Sequence, residues 1–287
     1  MTTFEFYSPK RVSFIVTTKN SASELDKCLA VCRRLKGFED ELLVIDGASG
    51  DKTTEVVEKY ADIVDVFVSE KDFSNTHASN KGMLLAKGRY LKSIAPDDTY
   101  YPKAMEQAIA MFDRHPEIDI LLCGGTKEKN GKIGYVFIPS GSHYGNKPED
   151  VFLYPRCGVG HIYRRKSLAR MGILNLRSLN TDSEFLVHAI YSGAIVRFCR
   201  VNLFHHPFSH YDQEFYTDKF WLSVAKRYCS RRFYFKYLLF IKSRHSKIIQ
   251  VFCYLLKLVR RKIKSSAIKK FLGKKVLPEI VWDGGLS

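Results

Sequence analysis

Residues 12–20 read VSFIVTTKN, and this stretch decides the fold class. Its β-branched, apolar beginning is typical of a buried strand, and its polar end leads into a helical pattern over 22–35. The same succession recurs with ELLVI at 41–45 and a helical stretch at 52–60. Strand and helix signals that alternate in this way predict βαβ units, and therefore an α/β fold with a mostly parallel sheet flanked by helices.

The alternation continues along the chain. Further strands are predicted at 64–68, 90–94, 118–123 and 194–200, and further helices at 80–87, 102–114, 167–172 and 184–192. Residues 126–157 are rich in Gly, Lys and Ser, and we expect hairpins or a loop over the sheet there. Asp51 is interpreted as the N-cap of the helix at 52–60 rather than as a site residue.

Polar clusters follow four of the predicted strands. They lie at 17–20 (TTKN), 46–49 (DGAS), 70–72 (EKD) and 96–98 (PDD). In an α/β sheet with parallel strands, ligands bind in the crevice outside the carboxyl ends of the strands. The clusters therefore predict a polar ligand site at that edge.

Four stretches of this sequence resemble the family 2 glycosyltransferases. They are VSFIVTTKN (12–20), VIDGASGDKT (44–53), SEKDFSNTHASNKGMLLAKGRYLKSIAPDD (69–98) and TDSEF (181–185), and with the helices between them they span about residues 10–190. The resemblance implies a Rossmann-like GT-A fold. It also implies an enzyme that moves a sugar from a nucleotide diphosphate, with a UDP-sugar as the expected donor, and inverts the anomeric carbon.

Five residues are expected to bind the nucleotide: Thr17, Lys19, Asp46, Lys81 and Asp97, the last of which is also a predicted metal ligand. By resemblance, the carboxylate of Asp46 accepts a hydrogen bond from a nucleobase ring N–H, although an acid in this position also suits a simple turn. Thr17 and Lys19 match the loop that flanks the base, where an aromatic residue often replaces Lys19; the alternative is an ordinary polar loop. Lys81 is predicted to lie at the start of a helix, where phosphate oxygens bind, or to be simply solvated.

The metal prediction rests on Asp97 and Asp98. Asp97 stands where the family carries its metal-binding carboxylate, and Asp98 is its neighbour. Carboxylates and diphosphate oxygens suit Mn²⁺ or Mg²⁺, which would offset charge on the leaving group. The first acid of the family motif is replaced by Ala95, which puts the usual ribose contact in doubt. Helix capping near Pro102 is the alternative role for the two acids.

The predicted general base is Asp182. Inversion by direct displacement needs one group that takes the proton from the acceptor hydroxyl, and the family keeps an acid at this position before a helix. Asp182 could instead serve only as the N-cap of the helix at 184–192, and Glu184 is the reserve candidate for the base.

Weaker expectations concern the sugar pocket and a histidine cluster. His77 and Ser79 stand where related sequences often carry other side chains, and they are expected to tune the donor sugar pocket. His205, His206 and His210 follow the last strand; one of them could contact the metal, although structural roles are more common for such residues. Sugar choice is expected to depend on the loops at 126–157 and 158–180.

The net charge of +16 comes from the C-terminal part of the chain. Residues 1–218 hold 28 basic and 28 acidic side chains, whereas residues 219–275 hold 18 basic ones and no acid. We therefore divide the chain into a catalytic domain, 1–218, and a basic amphipathic helical extension, 219–287. An anionic membrane surface is the favoured partner of 219–275. A nucleic-acid backbone and simple packing on the catalytic domain are the alternatives, and no nucleic acid is expected to bind.

Composition limits the cellular setting. The seven cysteines form no CxxC pair, which predicts reduced thiols, and MTTFEFYSPK at the N-terminus does not resemble a signal peptide. The sequence thus predicts a cytoplasmic protein, peripheral to the inner face of the membrane. There it would extend a polysaccharide or lipopolysaccharide precursor, with a saccharide or lipid-linked saccharide as acceptor.

Two enzyme-like alternatives remain at this point. A nucleotidyltransferase shares the nucleotide-binding α/β half, but TTKNSAS after the first strand lacks the glycine-rich loop expected of that class. A catalytically degenerate transferase that binds a nucleotide sugar without turnover is the second, because Ala95 interrupts the metal motif.

Overall fold

The computed structural model describes residues 10–95, 98–129, 132–135, 147–152, 158–206 and 218–244. The strands are Val12–Thr18 (β1), Glu41–Asp46 (β2), Val66–Ser69 (β3), Tyr90–Ile94 (β4), Thr99–Tyr100 (β5), Ile120–Lys129 (β6), Lys132–Tyr135 (β7), His161–Arg164 (β8) and Val196–His206 (β9). The α-helices are Ala22–Leu35 (α1), Thr53–Lys59 (α2), Asn75–Leu85 (α3), Pro102–Arg114 (α4), Leu168–Met171 (α5), Thr181–Tyr191 (α6), Asp218–Tyr228 (α7) and Arg231–Arg244 (α8). Short 3₁₀ turns lie at Pro148–Phe152, Gly158–Gly160 and Arg165–Ser167.

The described strands form one sheet, in the order β3-β2-β1-β4-β8-β6-β9-β5, with β7 added to β6. Strands β1 to β4 are parallel, which confirms the prediction for that half of the sheet. The other half is mixed, because β8 runs antiparallel to both β4 and β6 while β6 and β9 are parallel. The hairpin of β6 and β7 agrees with the expectation for the beginning of 126–157.

Both faces of the sheet are covered by helices. Buried side chains of α1 and α4 pack on one face, among them Leu25, Leu29, Ile109 and Phe112. Helices α3, α6 and α7 cover the other face. Burial on both sides explains why β1 and β2 have nearly continuous apolar sequences.

The described thiols agree with a reduced protein. Cys28, Cys32, Cys123 and Cys199 are buried free cysteines, and Cys229 is half-buried and free. The shared core face predicted for Cys28 and Cys32 is confirmed. Cys157 and Cys253 lie outside the described residues.

The start of α3 differs from the prediction. The helix begins at Asn75 instead of residue 80, because Ser74 caps it by accepting a hydrogen bond from the His77 backbone N–H. Its packing on β1 is close, since a Cβ at Gly82 would lie 2.4 Å from Cγ2 of Ile15. As a consequence, Lys81 lies inside the helix and not at its N-terminus, which corrects the helix-terminus argument for phosphate binding.

Two helix caps test the simpler roles of predicted acids. The N-cap of α2 is Lys52, so Asp51, the predicted cap, lies one position before it. Its carboxylate nevertheless accepts hydrogen bonds from Thr53 N and Ala22 N, the first residues of α2 and α1. Helix α6 is capped by Asn180, whose Oδ1 accepts from Ser183 N. The alternative role of Asp182 as the N-cap is therefore wrong.

The described part of the C-terminal extension consists of α7 and α8. Trp221 and Val224 of α7 are buried with the helices of the second face, and Ala225 is buried as well. The domain boundary drawn after residue 218 stays a prediction. Among the described helices, none has the length and apolar character that crossing a bilayer requires.

Candidate active site

A cavity of about 610 Å³ lies at the carboxyl ends of β1, β2 and β3. One side is formed by the loops after β1 and β2, with Thr17, Thr18, Lys19 and Gly47. The other side is formed by residues 72–75, which lead from β3 into α3. Three of the four polar clusters of the sequence, 17–20, 46–49 and 70–72, contribute residues to the wall of this strand-end cavity.

Two residues in the cavity wall have a buried side-chain oxygen without a hydrogen-bond partner. Within the described part of the chain, Thr18 Oγ1 and Asp72 Oδ2 are such atoms, and both residues line the cavity. The other carboxylate oxygen of Asp72, Oδ1, forms an ion pair with Lys81 Nζ at 2.8 Å and lies 3.0 Å from His77 Nδ1. Leaving a buried polar group unsatisfied costs about 1–3 kcal/mol, so the pair offers strong binding capacity to a polar ligand.

Thr17 and Lys19 lie in the cavity wall, as expected for the loop after β1. Thr17 is half-buried and its Oγ1 donates to Asn75 Oδ1 at 2.7 Å. Lys19 is exposed, and its alkyl stem covers Gly47: a Cβ added there would be 3.1 Å from Lys19 Cδ. Lys19 supplies no aromatic ring on this side of the cavity. An aromatic ring is present on the other side, where the side chain of Phe73 is largely exposed.

Asp46 is fully buried at the end of β2. Its Oδ2 accepts from Ser69 Oγ at 2.6 Å and from Ser49 N at 3.0 Å, and its Oδ1 accepts from Ser49 Oγ. The carboxylate thus holds the turn that places Gly47 in the cavity wall. Contact with a nucleobase stays a prediction, and it requires Asp46 to exchange one of these serine hydrogen bonds.

Lys81 reaches the cavity only through its partners. Its ammonium lies 2.8 Å from Glu70 Oε1 and 2.8 Å from Asp72 Oδ1. Desolvation lowers the pKa of Lys81, but the hydrogen bonds to Asp72 and Glu70 outweigh it and raise that pKa above the usual value. Lys81 is therefore charged and orients the Asp72 carboxylate. Its direct contact with a diphosphate stays a prediction.

The described half of the metal motif is Asp98, since Asp97 lies outside the described residues. The Asp98 side chain is fully buried, with Oδ1 2.5 Å from His206 Nδ1. This contact, and not the capping of α4, holds Asp98: α4 starts after Tyr101 without a side-chain cap. His205 bonds to Thr126 Oγ1 at 2.9 Å, and His210 lies outside the described residues.

The donor set around Asp98 fits a hard divalent ion. Such ions take one or two carboxylates and complete their shell with phosphate oxygens and water, and ligating carboxylates are commonly held by a neighbouring hydrogen bond like that of His206. Among the described residues, no group of three or more metal-ligating side chains occurs. A metal ion at this position stays a prediction, and its binding would depend on Asp98 and on oxygens that a substrate would bring.

Asp182 lies in the first turn of α6 and is exposed. Within the described part of the chain its carboxylate has no hydrogen-bond partner, so it is available to accept a proton. It packs against Gly158, where an added Cβ would lie 1.8 Å from Asp182 Oδ2. The reserve candidate, Glu184, is buried and accepts a hydrogen bond from Asn175 at 3.1 Å, which leaves Asp182 as the accessible acid.

The surroundings of Asp182 tune its charge. Desolvation by the protein around the carboxyl raises the pKa of Asp182 above 3.8 even though the residue keeps an exposed surface, and the positive charge of Lys92 partly opposes this rise. Burial and the charge of Asp182 raise the pKa of Tyr163 well above its usual value. Burial also lowers the pKa of His161 to about 3, so this histidine is neutral at physiological pH.

A contact between α3 and α6 links a residue next to the cavity wall with the residue that precedes Asp182. Thr76 Oγ1 of α3 lies 3.2 Å from Thr181 Oγ1 of α6. Asn75, which precedes Thr76, lines the strand-end cavity, and Asp182 follows Thr181. The structure therefore brings the neighbour of a cavity-lining residue into contact with the neighbour of the predicted base, although Thr76 and Thr181 are 105 residues apart in sequence.

Sequence reasoning missed several residues of this site. It flagged the cluster at 70–72 but gave no role to Asp72, and it overlooked Gly158 and Lys92. The position of Asp72 at a strand end was an available signal. Lys92 is an isolated charge inside the apolar strand 90–94, which was also visible. The contact of Gly158 with Asp182 depends on tertiary structure and had no sequence signal.

Comparison with known proteins agrees with this geometry. The chain matches the family model "Glycosyl transferase family 2" over residues 13–172, which is more than half of its length. An uncharacterised glycosyltransferase of Rickettsia typhi is 27% identical over 152 residues, 52% of this chain and 46% of that protein. The chain thus spans about half the length of this relative. A PGL/p-HBAD biosynthesis glycosyltransferase of Mycobacterium bovis is 27% identical over 192 residues, 64% of this chain and 71% of that protein.

Solved structures share the fold. S. aureus TarS 1–349, in complex with UDP-GlcNAc, superposes with a TM-score of 0.58 at 20% identity, covering 76% of this chain and 65% of that one. The mannosyltransferase PcManGT of Pyrobaculum calidifontis, in complex with GDP-Man and Mn²⁺, gives 0.53 at 16% identity, covering 77% and 62%. The resemblance seen in the sequence is confirmed: this chain belongs to glycosyl transferase family 2 and has the GT-A fold.

Proposed function

We propose that this glycosyltransferase moves a sugar from a nucleotide diphosphate, in the first instance a UDP-sugar, to a saccharide or lipid-linked saccharide, with inversion at the anomeric carbon. The observation that carries the proposal is the strand-end cavity. Its buried Thr18 Oγ1 and Asp72 Oδ2 can bind a polar ligand, and the contact between Thr76 and Thr181 joins it to Asp182.

Donor binding is assigned to the cavity wall. A nucleobase ring N–H would donate to Asp72 Oδ2 in place of Asp46, whose oxygens already accept from Ser49 and Ser69. The exposed ring of Phe73 offers a stacking surface worth about 1–3 kcal/mol. Thr17 and Lys19 flank the same space. UDP-GlcNAc and GDP-Man in the complexes of the two similar structures support a nucleotide-sugar donor.

A divalent ion, Mn²⁺ or Mg²⁺, is proposed at Asp98, with Asp97 as its sequence neighbour. When bound, such an ion neutralises charge on the departing diphosphate. The residues of this chain would do two things there: Asp98 supplies a carboxylate oxygen, and His206 keeps that carboxylate in place. The Mn²⁺ in the PcManGT complex supports the choice of ion.

Asp182 is proposed as the general base. Its carboxylate takes the proton of the acceptor hydroxyl while that oxygen bonds to the anomeric carbon, and the nucleoside diphosphate leaves with the electron pair of the broken bond. No covalent sugar–enzyme bond forms. The exposure of Asp182 and the raised pKa of its carboxyl suit a group that must accept a proton from an incoming acceptor.

The basic extension is proposed to hold the enzyme on an anionic membrane, at the cytoplasmic face where a lipid-linked acceptor would be presented. On α8, Phe235 and Leu239 are exposed among Arg231, Arg232 and Lys236. Apolar side chains of this kind insert at the headgroup boundary, while the cations attract anionic lipids. Residues 1–218 form the catalytic domain in this proposal and 219–287 the attachment.

Donor binding can be tested by thermal unfolding of the protein with UDP or GDP, with and without Mn²⁺. A ligand at 100 times its dissociation constant stabilises a fold by about 2.7 kcal/mol, which raises the midpoint by about 5–10 °C in a protein of this size. The variant Asp72→Ala should lose most of this shift. Asp62→Ala, which removes a carboxylate exposed elsewhere on the surface, is the matched control and should keep it.

The outcomes separate the donor from the site. If the unfolding midpoint rises with GDP but not with UDP, the expected donor becomes a GDP-sugar and the cavity remains the assigned donor site. An equal shift in the wild-type protein and Asp72→Ala would refute the role of Asp72. No shift with either nucleotide, Mn²⁺ present, would contradict the assignment of the cavity to the donor.

A further inference from the structure

Lys92 is a lysine inside the core of the sheet. It lies on the central strand β4, and none of its surface is exposed. Its ammonium donates to Ser93 O at 2.5 Å and to Val159 O at 2.8 Å, and it lies 5.0 Å from the centre of the Tyr100 ring. Burying a charge is costly unless it is hydrogen-bonded, so a lysine in this position calls for a specific reason.

The contacts of Lys92 lead to the candidate base. Val159 belongs to the turn Gly158–Gly160, which precedes β8. Gly158, the first residue of that turn, packs against the Asp182 carboxylate so closely that a Cβ would overlap it. Lys92 therefore fixes, through the carbonyl of Val159, the piece of backbone on which Asp182 rests.

The charges around Lys92 single out the same partner. Among the described residues, the titratable groups whose pKa Lys92 affects include Cys32 on α1, Cys123 on β6, His161 on β8 and Asp182 on α6. The first three are neutral at neutral pH. The pKa of Cys32 is raised by its hydrogen bond with Cys28 and by burial, that of Cys123 is raised by its hydrogen bond with Cys199 and by burial, and burial lowers the pKa of His161 to about 3. Asp182 is the carboxyl of this group, and the positive charge of Lys92 lowers its pKa, which opposes the rise caused by burial. Tyr163 is the further titratable group that Asp182 faces.

We propose that Lys92 is a positioning residue for the reaction: its buried ammonium holds the Gly158–Gly160 turn against Asp182 and supplies a fixed positive charge beneath that carboxylate. Lys92 acts through Asp182 and does not touch the substrate. The inference rests on the proposed role of Asp182 as the base. The coupling between the two residues, however, can be measured without any substrate.

A double-mutant cycle on thermal unfolding tests the coupling at pH 7. The pKa of Asp182 is raised in the folded protein, so its contribution to stability is greatest below about pH 3.9 and is lost as the pH rises through the folded pKa. Removing the charge of Lys92 should enlarge this loss. We expect Asp182→Asn to be more stabilising in the Lys92→Met background than in the wild-type background, by about 3 °C or more in the unfolding midpoint.

Two variants control the cycle. Lys36→Met removes a lysine paired with Asp65 at the end of α1, and Asp182→Asn should have the same effect with or without it. Lys92→Gln keeps a donor for the carbonyl of Val159 but loses the charge, and it replaces Lys92→Met if that variant does not fold. Additive effects of Lys92 and Asp182 variants on the midpoint would overturn the proposal.

Turnover supplies the second readout. With Lys92→Gln, the acid limb of the pH–rate profile for nucleoside diphosphate release should move to higher pH, and the rate should recover at high pH. A rate that is lower by the same factor at every pH would indicate a structural role only and would overturn the charge part of the proposal. If Asp182→Asn keeps full activity, the base assignment fails instead, whatever the cycle shows.

Discussion

At the scale of single residues, Gly158 decides how close the chain can approach the candidate base. The variant Gly158→Ala places a methyl group within 1.8 Å of the present position of Asp182 Oδ2, so the carboxylate must move. We expect turnover to fall at least about tenfold, because small misplacements of a reacting group are costly, while the thermal shift with nucleotide stays unchanged. The rate of nucleoside diphosphate release measures the effect.

Gly50→Ala is the matched control for this prediction. A Cβ at Gly50 would meet nothing within 4 Å, and Gly50 lies in the loop after β2. Its variant should keep the wild-type rate. Full activity of Gly158→Ala would show that the reaction does not depend on the place of Asp182.

The roles of single residues could be read from the sequence only in part. The motif led to Asp98 and Asp182, and the structure removes the capping role for both. Asp46 was readable as a strand-end acid, but its three hydrogen bonds to serines depend on Ser49 and on Ser69, which lies on a different strand. Whether an acid faces a cavity or a neighbouring side chain is decided by such tertiary contacts.

At the scale of secondary structure elements, Asn80 ties α3 to the loop before α6. Its Nδ2 donates to Leu174 O and its Oδ1 accepts from Leu174 N, both at 2.9 Å. Asn80→Ala leaves these two backbone groups without the partners that Asn80 supplies and should lower the free energy of unfolding by about 2–4 kcal/mol. Denaturant unfolding measures the change.

Ser79→Ala serves as the comparison for Asn80→Ala. The Ser79 hydroxyl donates only to Asn75 O within α3, so its loss should change the free energy of unfolding by less than about 0.5 kcal/mol. Equal effects of the two variants would mean that the contact between α3 and the loop contributes nothing to stability.

Elements were predicted best where apolar periodicity is strong. Strand β4 and helices α1 and α4 have the predicted bounds. Helix α3 was predicted five residues too short at its start, because Asn75 to Ser79 are polar or small and show no apolar period, while the capping hydroxyl of Ser74 was overlooked. Local hydrogen bonds, and not hydrophobic pattern, set that boundary.

At the scale of the whole molecule, the excess of positive charge lies in residues 219–275, which contain no acidic residue. If the extension holds the enzyme on anionic lipid, the protein should bind vesicles that contain phosphatidylserine and leave them at high salt. Replacing Arg231, Arg232 and Lys236 by Gln should weaken binding on the order of 100-fold, since each cation near the surface contributes about 1 kcal/mol. Vesicle sedimentation measures the bound fraction.

A second substitution separates insertion from simple attraction. Leu239→Ser on α8 should weaken vesicle binding, whereas Leu84→Ser, which changes a similarly exposed leucine on α3, should not. Equal binding to uncharged vesicles in high salt would contradict the electrostatic account.

The whole-molecule architecture was readable in its first half. Alternating patterns predicted the parallel strands β1 to β4, because each strand is followed by a helix that returns the chain to the same edge of the sheet. The insertion of β8 between β4 and β6 was not predictable, since antiparallel pairing between distant strands leaves no periodic signal in a short segment such as His161–Arg164.

The central claim is that Asp182 is the base of a glycosyl transfer fed from the strand-end cavity. The most direct measurement is nucleoside diphosphate release from UDP- and GDP-sugars, with Mn²⁺ and a bacterial lipid extract as acceptor source, for the wild-type protein and Asp182→Asn. The account predicts turnover by the wild type, a loss of about 100-fold or more in Asp182→Asn, and an unchanged thermal shift with nucleotide in the variant. A turnover rate of Asp182→Asn equal to that of the wild-type protein would contradict the account.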